Sequence, residues 1–294
     1  MGIFRPSKSH IAGQLTRLTP RIVFNWNYTT CPDPVIAGEV SDDGDIMPCV
    51  FTGPNGEHYG GTLCAVGAFG DDGQLPGING SPVTPDTATT AAGLDVQMDI
   101  QTTDNVGIQL IPGAGALGGP SALTVGTHSG YIDVTFFTPD WQDFDCAVIG
   151  YRKVEAFQTG YNAVAAAGST GDVVYHDVAG FGVMTDTDLR IQTAKDNNAT
   201  STLTNCGASK PVDAQNCRLR VTVSSAGAVT YSFVVNQVAG AGTLAAPATT
   251  AAFSFNNGDV IVPFIATLGC TVEEDSLFIK DIEVQKSPGT SFVN

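Results

Sequence analysis

Cys217-Arg-Leu-Arg-Val-Thr-Val-Ser224 alternates apolar with polar or basic side chains, and this stretch decides the fold class. Ala226-Gly227 separates it from a second alternating run, Val229-Thr-Tyr-Ser-Phe-Val-Val235. Strict alternation places one set of side chains in a core and the other set in water. A small turn between two such runs is typical of an antiparallel hairpin. The stretch therefore predicts sheet structure for this part of the chain.

Runs of the same kind surround this hairpin. Two follow it, at 253–265 (with the turn Asn257-Gly258-Asp259 at its centre) and at 276–284. Those before it are 21–28, 47–51, 62–66, 94–100, 107–111, 131–137, 146–154, 173–178, 181–184 and 188–192. The stretch 196–216 is polar and predicts a loop. From residue 94 onward the strands recur at intervals of roughly 8–15 residues, without helical periodicity, which favours an all-β, antiparallel two-sheet sandwich.

Composition divides the chain into three regions. Charged residues make up only 14% of the chain and apolar residues 43%, with 34 Gly and 16 Pro, which is typical of a turn-rich β protein. The Pro/Thr/Ala stretch 81–93 predicts a connector. We therefore expect an N-terminal anchoring arm and first strand at 1–28, a loop-rich β region at 29–93, and a sandwich at 94–294.

Charge is distributed unevenly along the chain. The net charge is −16, yet residues 1–21 contain four bases and no acid, whereas residues 22–151 contain sixteen acids and no base. One interpretation is a solvated acidic surface with a chance cluster of bases. The other is a basic arm that docks on an acidic neighbour or touches nucleic acid. The body lacks a basic patch with interleaved aromatic residues, so it is not expected to bind nucleic acid.

No secretory signal or membrane-spanning run is evident in the sequence, so we expect synthesis in the cytosol and no membrane partner. The seven cysteines form no CxxC motif, which argues against a zinc or redox site of that type. Buried free thiols are expected. Cys206 and Cys217 leave open the alternative of a disulfide that closes a surface loop.

The order of the last strands resembles the end of concanavalin A-like (laminin-G-like) jelly rolls. The residues that carry this resemblance are RLRV-turn-YSFVVN, then FSFNNGDVIVPFI with its "GD" turn, then SLFIKDIEV. The resemblance covers about residues 94–286 and implies a jelly-roll sandwich whose last strand pairs near the domain start. Such modules resemble those of tailed-bacteriophage virion proteins, which are likewise rich in Gly, Ala and Thr.

Catalytic chemistry finds little support, so the chain is expected not to be an enzyme. A retaining glycosidase needs two carboxyl groups about 5–5.5 Å apart, and no cluster of that kind occurs among the six Glu residues. Asp95 and Asp99 share a strand face but are better explained as surface carboxylates. His176 and Asp177 are adjacent on a predicted strand, so their side chains point to opposite faces.

Metal and sugar sites remain as weaker expectations. Asp42-Asp43-Gly44-Asp45, Asp71-Asp72 and Asp186-Thr-Asp188 offer clustered oxygens that suit calcium, although turn formation explains such residues too. No other cofactor is expected. Trp141 with Asp143 and Asp145 is a candidate sugar-stacking site, and the alternative is a buried Trp that anchors a turn.

These observations favour a bacteriophage virion structural protein, most simply a capsid decoration (cement) protein. The arm would bind neighbouring subunits, either other virion proteins or further copies of the chain. The alternative is a head or tail fibre attachment protein with a lectin-like glycan-binding module. The expected partner-binding residues are Phe4, Arg5, Lys8, Arg17, Arg21, Ile22, Phe24 and Trp26.

Overall fold

Every regular element that the structure describes is a β-strand, which confirms the all-β prediction. The computed structural model describes residues 21–25, 45–52, 58–69, 89–90, 93–97, 107–113, 118–142, 144–155, 175–184, 188–196, 201–237, 242–270 and 276–288. The strands are β1 (Arg21–Asn25), β2 (Asp45–Thr52), β3 (His58–Phe69), β4 (Thr89–Thr90), β5 (Gly93–Gln97), β6 (Gly107–Pro112), β7 (Leu123–Thr124), β8 (His128–Phe137), β9 (Phe144–Lys153), β10 (Val178–Val183), β11 (Asp188–Ala194), β12 (Thr202–Ser209), β13 (Asn216–Val223), β14 (Val229–Gln237), β15 (Val260–Cys270) and β16 (Ser276–Pro288).

The strands form two antiparallel sheets, as predicted. Sheet A has the order β14-β13-β8-β16-β5-β4, with β1 also paired to β16. Sheet B has the order β12-β11-β10-β9-β15-β6-β3-β2, with β7 also paired to β15. Among the described strands, consecutive ones lie in different sheets at β1/β2, β3/β4, β5/β6, β7/β8, β8/β9, β12/β13, β14/β15 and β15/β16. The result is a jelly-roll sandwich, in which β16 pairs with β5 near the predicted start of the domain.

The core lies between the two sheets because alternate residues of each strand face inward. In β8 these are Ile132, Val134 and Phe136, all fully buried. Phe181 of β10 in sheet B contacts Tyr231 of β14 in sheet A, with ring centroids 5.6 Å apart and ring planes inclined by 61°. Burial of each such side chain contributes about 1.5–3 kcal/mol. Burial of the inward-facing apolar side chains, which the alternation in the sequence specifies, is therefore a main source of the stability of the sandwich.

Strand β12 corrects one prediction, because Thr202–Ser209 was expected to lie in a loop within 196–216. The strand is at the edge of sheet B and pairs only with β11. Of its eight side chains, only that of Cys206 is buried. An edge strand with a mostly polar sequence lacks the apolar alternation by which the other strands were found.

Residues 242–256, which we call the strap, cover the edges of both sheets on one side of the sandwich. Ala245 and Phe233 of β14 exchange two backbone hydrogen bonds, each of 2.9 Å. The amide of Thr249 donates to the carbonyl of Cys206 in β12 at 3.2 Å. The strand predicted at 253–265 is thus divided, since its first residues belong to the strap and β15 begins at Val260.

The three regions expected from composition contribute to the same two sheets. β1, from the predicted arm region, pairs with β16 in sheet A. β2 and β3, from the loop-rich region, pair with each other, and β3 pairs with β6 in sheet B. The described N-terminal strands therefore belong to the same two sheets as the later strands.

Candidate functional site

The N-terminal arm enters the fold through β1. This strand pairs antiparallel with β16, from Arg21 opposite Gln285 to Asn25 opposite Asp281. The other predicted arm residues, Phe4, Arg5, Lys8 and Arg17, and also Trp26, lie outside the described residues. Arg21 and Phe24 are placed by their backbone pairing alone. The described part of the predicted arm region, β1, is therefore held to sheet A by its backbone pairing with β16.

Ile22, one of the predicted partner-binding residues, contacts its own chain, and its role toward a neighbouring subunit stays a prediction. Its side chain is half-buried and packs against the chain's own core. It also lies over Gly113, at the end of β6, so closely that a Cβ added there would come within 2.1 Å of Ile22 Cδ1. Gly113 has a φ of +67°, a conformation that suits glycine. Ile22 thus holds β1 on the sandwich.

Beside β1, sheet A presents an ordered set of ionic side chains on its outer surface. We call this set the charged face: Tyr131 and Asp133 of β8, Arg218 and Arg220 of β13, and Asp281 and Glu283 of β16. The Asp133 side chain is 1% exposed. Arg218 donates from Nε to Oδ1 at 2.8 Å and from Nη2 to Oδ2 at 3.0 Å, and Arg220 donates from Nε to Oδ2 at 2.6 Å. One carboxylate therefore orders two arginines.

Aromatic and acidic groups extend the charged face toward β1. The Arg220 guanidinium lies 4.3 Å from the centroid of the Tyr131 ring, and the Tyr131 hydroxyl donates to Glu283 Oε1. Glu283 is directly opposite Val23 of β1, so both side chains point to the same surface of the sheet. The charged face and the base of the arm are therefore neighbours.

The surroundings change the pKa of two groups in this region. Burial raises the pKa of Asp281 to about 6, and a hydrogen bond from Thr135 partly opposes this shift. The pKa of Arg218 is raised, chiefly by its hydrogen bonds with Asp133. The net charge of the charged face in the folded protein therefore changes near pH 6, where Asp281 titrates.

The sequence indicated that the two arginines of the charged face share a surface, but it did not identify their partner. Alternation in Arg218-Leu-Arg220 places both arginines on one surface of a strand. The partner Asp133 lies 85 residues before Arg218, so the pair depends on β13 lying beside β8. That pairing could not be derived from the pattern of a single strand.

Trp141 is a further correction, because its ring is fully buried and offers no face to a sugar. Its Nε1 donates to the carbonyl of Gln215 at 2.7 Å, and its amide donates to Asp213 Oδ1 at 2.9 Å. Trp141 thus anchors the turn after β8, which was the alternative interpretation. Asp143 is outside the described residues, and Asp145 is placed only as part of β9.

A second ionic cluster lies where β9 ends and β15 begins. Lys153 Nζ is 3.0 Å from Asp259 Oδ1 and 3.8 Å from Asp177 Oδ2. The hydrogen bond with Asp259 is the largest cause of a raised Lys153 pKa. Nearby, His176 Nδ1 is 2.8 Å from Glu155 Oε2, so the partner of this histidine is Glu155.

Within the described ranges, no three His, Cys, Asp or Glu side chains are grouped to hold a metal ion. Of the residues expected to bind calcium, Asp188 accepts a hydrogen bond from Asn205 Nδ2 at 2.6 Å. The side chains at 42–45, 71–72 and 186 are not among the described ones. The described part of the chain also contains no helix long and apolar enough to cross a bilayer.

Comparison with known proteins gives structural likenesses without a family. No protein-family model matches the chain, and no curated protein matches it. A protein of unknown function from Shewanella oneidensis MR-1 has 12% identity and a TM-score of 0.41 over 100% of both chains. The Bauhinia forficata lectin in complex with GalNAc has 12% identity and a TM-score of 0.43 over 92% of this chain and 99% of its own. Peanut lectin has 10% identity and a TM-score of 0.44 over 92% and 100%.

The two lectins are legume lectins, which have the concanavalin A-like jelly-roll fold. At these identities and TM-scores the likeness carries no argument about ligands or partners. The fold class of this chain rests on its own strand order and pairings.

Proposed function

We propose that the chain is a non-enzymatic structural protein of a bacteriophage virion, in the role of a capsid decoration protein. Its partners would be neighbouring virion subunits, including further copies of itself, and its location would be the assembled particle. The observation that carries the proposal is the pairing with β16, beside the charged face, of β1, which directly follows the basic segment 1–20 in the sequence. An arm fixed at its base can contribute contacts to a neighbour without loosening its own domain.

The charge distribution supports the same role. All four bases of residues 1–21 precede or begin β1, whereas the stretch 22–151 contains sixteen acids and no base. Copies packed side by side would therefore place a basic arm against an acidic body. Contacts of this kind steer association and fix its register more than they add affinity.

Ordered arginines support a role for the charged face in the same contact. Arg218 and Arg220 are 19% and 28% exposed, and Asp133 already fixes their geometry. Side chains that are ordered before binding lose less conformational entropy when a partner docks. Arginine and tyrosine are also enriched at the energetically important positions of protein interfaces.

Deletion of the arm tests the proposal. The deletion should remove residues 1–20 and keep β1, since loss of Arg21–Asn25 would remove a strand from sheet A. We expect the shortened chain to fold, shown by an unchanged urea unfolding midpoint, but to be absent from particles assembled with it. Normal occupancy of the particle by the shortened chain would contradict the proposal.

The size of the native assembly tests the wider claim. Light scattering should give a megadalton particle for the source material and a small oligomer or monomer for the recombinant chain. A native form that is also small would contradict a virion role. The attachment alternative, in which the module binds glycans and calcium supports the site, would then be tested on a glycan array with and without a chelator.

A further inference from the structure

Arg152 is a buried positive charge on the outer side of sheet B, and no negatively charged partner for it is described. Arg152 of β9 and Gln109 of β6 are both 0% exposed and belong to strands on either side of β15. Their inward-facing neighbours Tyr151 and Leu110 belong to the core between the sheets. Alternation therefore turns Arg152 and Gln109 to the opposite surface of sheet B.

Among the described residues, the contacts of Arg152 are with neutral groups. Its Nε donates to Gln109 Oε1 at 3.2 Å, and its Nη1 donates to the carbonyls of Lys153 at 3.1 Å and Glu155 at 3.3 Å. Its guanidinium carbon lies 4.4 Å from the centroid of the Tyr175 ring. The Tyr175 hydroxyl also donates to Gln109 Oε1, at 3.2 Å.

Two buried donors at this place have no acceptor. Arg152 Nη2 and Gln109 Nε2 are both without a hydrogen-bond partner in the part of the chain that the structure describes. Nη2 shares a carbon with Nε, and Nε2 shares a carbon with Oε1, so both open donors flank the same Nε–Oε1 hydrogen bond. A buried donor without an acceptor is costly, and a buried charge without a counter-charge is more so.

Arg218 shows what this edge of a guanidinium binds elsewhere in the molecule. There Nε and Nη2 bind the two oxygens of the Asp133 carboxylate at 2.8 and 3.0 Å. In Arg152, Nε donates to one neutral amide oxygen and Nη2 has no hydrogen-bond partner. The site therefore lacks an acceptor atom that carries negative charge.

We propose that Arg152 and Gln109 bind a small monovalent anion, with its acceptor atom between Arg152 Nη2 and Gln109 Nε2. Val148, Phe264 and Ala266 are fully buried on the same surface of sheet B and provide apolar surroundings. A low local dielectric strengthens the attraction between an anion and a guanidinium. A halide or a small carboxylate has the required chemistry, and binding is coupled to folding because the donors are buried.

Substitution of Gln109 provides a sharp test. Gln109→Glu is nearly isosteric and places a carboxylate oxygen where Nε2 stands, so the protein would supply its own anion. Wild type, Gln109→Glu and the exposed control Gln142→Glu are refolded in series of sodium bromide and sodium acetate concentrations. Each sample is then unfolded with urea, which introduces no competing anion.

The result expected is a difference between the variants. For wild type and Gln142→Glu, the unfolding constant should fall up to about tenfold for each tenfold rise in anion above its dissociation constant. Gln109→Glu should lack this dependence and retain only the general salt effect that all three share. The salt series that produces the dependence distinguishes a halide from a carboxylate. Equal dependence in wild type and Gln109→Glu would overturn the proposal.

Anomalous scattering from crystals of the wild-type protein grown in bromide gives an answer without any variant. A bromide peak between Arg152 Nη2 and Gln109 Nε2, or acetate density there in acetate-grown crystals, is expected. An ordered water at that position in both salts would overturn the anion site.

Discussion

Arg218 binds both carboxylate oxygens of Asp133 across two neighbouring strands, although Asp133 is almost completely buried. Arg220 binds the same carboxylate from two residues further along β13. Opposite charges on adjacent strands stabilise their pairing, and the bidentate geometry adds specificity. This pair therefore helps to fix the register of β13 against β8.

Asp133→Asn is expected to destabilise the fold. The substitution leaves two arginines without their counter-charge, and loss of a partner for a buried charged hydrogen bond costs about 2–3 kcal/mol once partial exposure of the arginines is considered. Urea unfolding measures the effect. Asp188→Asn, in an exposed hydrogen bond with Asn205, is the matched control and should cost less than about 1 kcal/mol. Equal losses for both variants would contradict this role of Asp133.

Asp281 is expected to make stability depend on pH. Burial raises its pKa in the folded protein to about 6, whereas an unfolded Asp titrates near 4. Between about pH 4 and 6 the folded state thus holds a proton that the unfolded state has lost. The free energy of unfolding therefore falls as pH rises through this window. Asp281→Asn should remove this contribution, which leaves the variant about 2–3 kcal/mol more stable than wild type at pH 7.5.

Unfolding by urea at pH 4, 5, 6 and 7.5 tests this expectation, with Asp188→Asn as a control for the loss of one carboxylate. The difference between Asp281→Asn and wild type should grow as pH rises. A difference that is constant with pH would show that Asp281 keeps its ordinary pKa in the fold.

Trp141→Phe is expected to lower stability. The indole Nε1 would no longer donate to the Gln215 carbonyl, and the smaller ring would leave space in the core. The combined cost should be about 2–4 kcal/mol. The urea midpoint and slope report it. A midpoint unchanged by the substitution would mean that the turn after β8 does not depend on this side chain.

Cys206 and Cys217 are expected to be unreactive in the folded protein. Both are free and buried, on opposite sheets, so the disulfide alternative is not adopted and the expectation of buried thiols is confirmed for these two. Burial raises the pKa of Cys206 to about 12 and raises that of Cys217 still more, which suppresses the reactive thiolate. Maleimide labelling at pH 8, mapped by peptide mass spectrometry, should modify them only in urea. Labelling of either in native buffer would contradict their burial.

Ala245→Pro is expected to detach the strap from β14. Proline has no amide hydrogen, so the bond from Ala245 to the Phe233 carbonyl would be lost, at a cost of about 1–3 kcal/mol. An exposed strand edge also promotes association between copies. Light scattering should therefore detect larger species for Ala245→Pro than for the control Ala245→Ser, which keeps the amide. Identical unfolding and scattering for the two variants would contradict the role of the strap.

Local patterns predicted those parts of the fold in which one strand face is apolar. Residues 217–224 alternate strictly and residues 132–136 do so at the centre of the run 131–137, and these stretches became the central strands β13 and β8. The edge strand β12 was missed, because its sequence is mostly polar and only the side chain of Cys206 is buried. The alternation rule detects strands with one buried apolar face, and an edge strand buries fewer side chains.

The candidate site was less predictable than the fold, because it depends on contacts between distant strands. Ile22 was correctly placed in a strand, but the sequence could not show whether its side chain meets a neighbour or its own core. Trp141 illustrates the same limit, since its hydrogen-bond partner Gln215 is 74 residues away. The charged face required the order of three strands in sheet A, which no single pattern contains.

The strap makes one side of the sandwich different from the other. On one side of the sandwich, β14 and β12 are the edge strands of the two sheets. Backbone groups of both strands form hydrogen bonds with the strap. The opposite ends of the sheets, at β4 and β2, are built from strands within the first 97 residues. Backbone pairing between two copies is therefore opposed on the strap side, because amide and carbonyl groups of β14 and β12 there are already bonded within the chain.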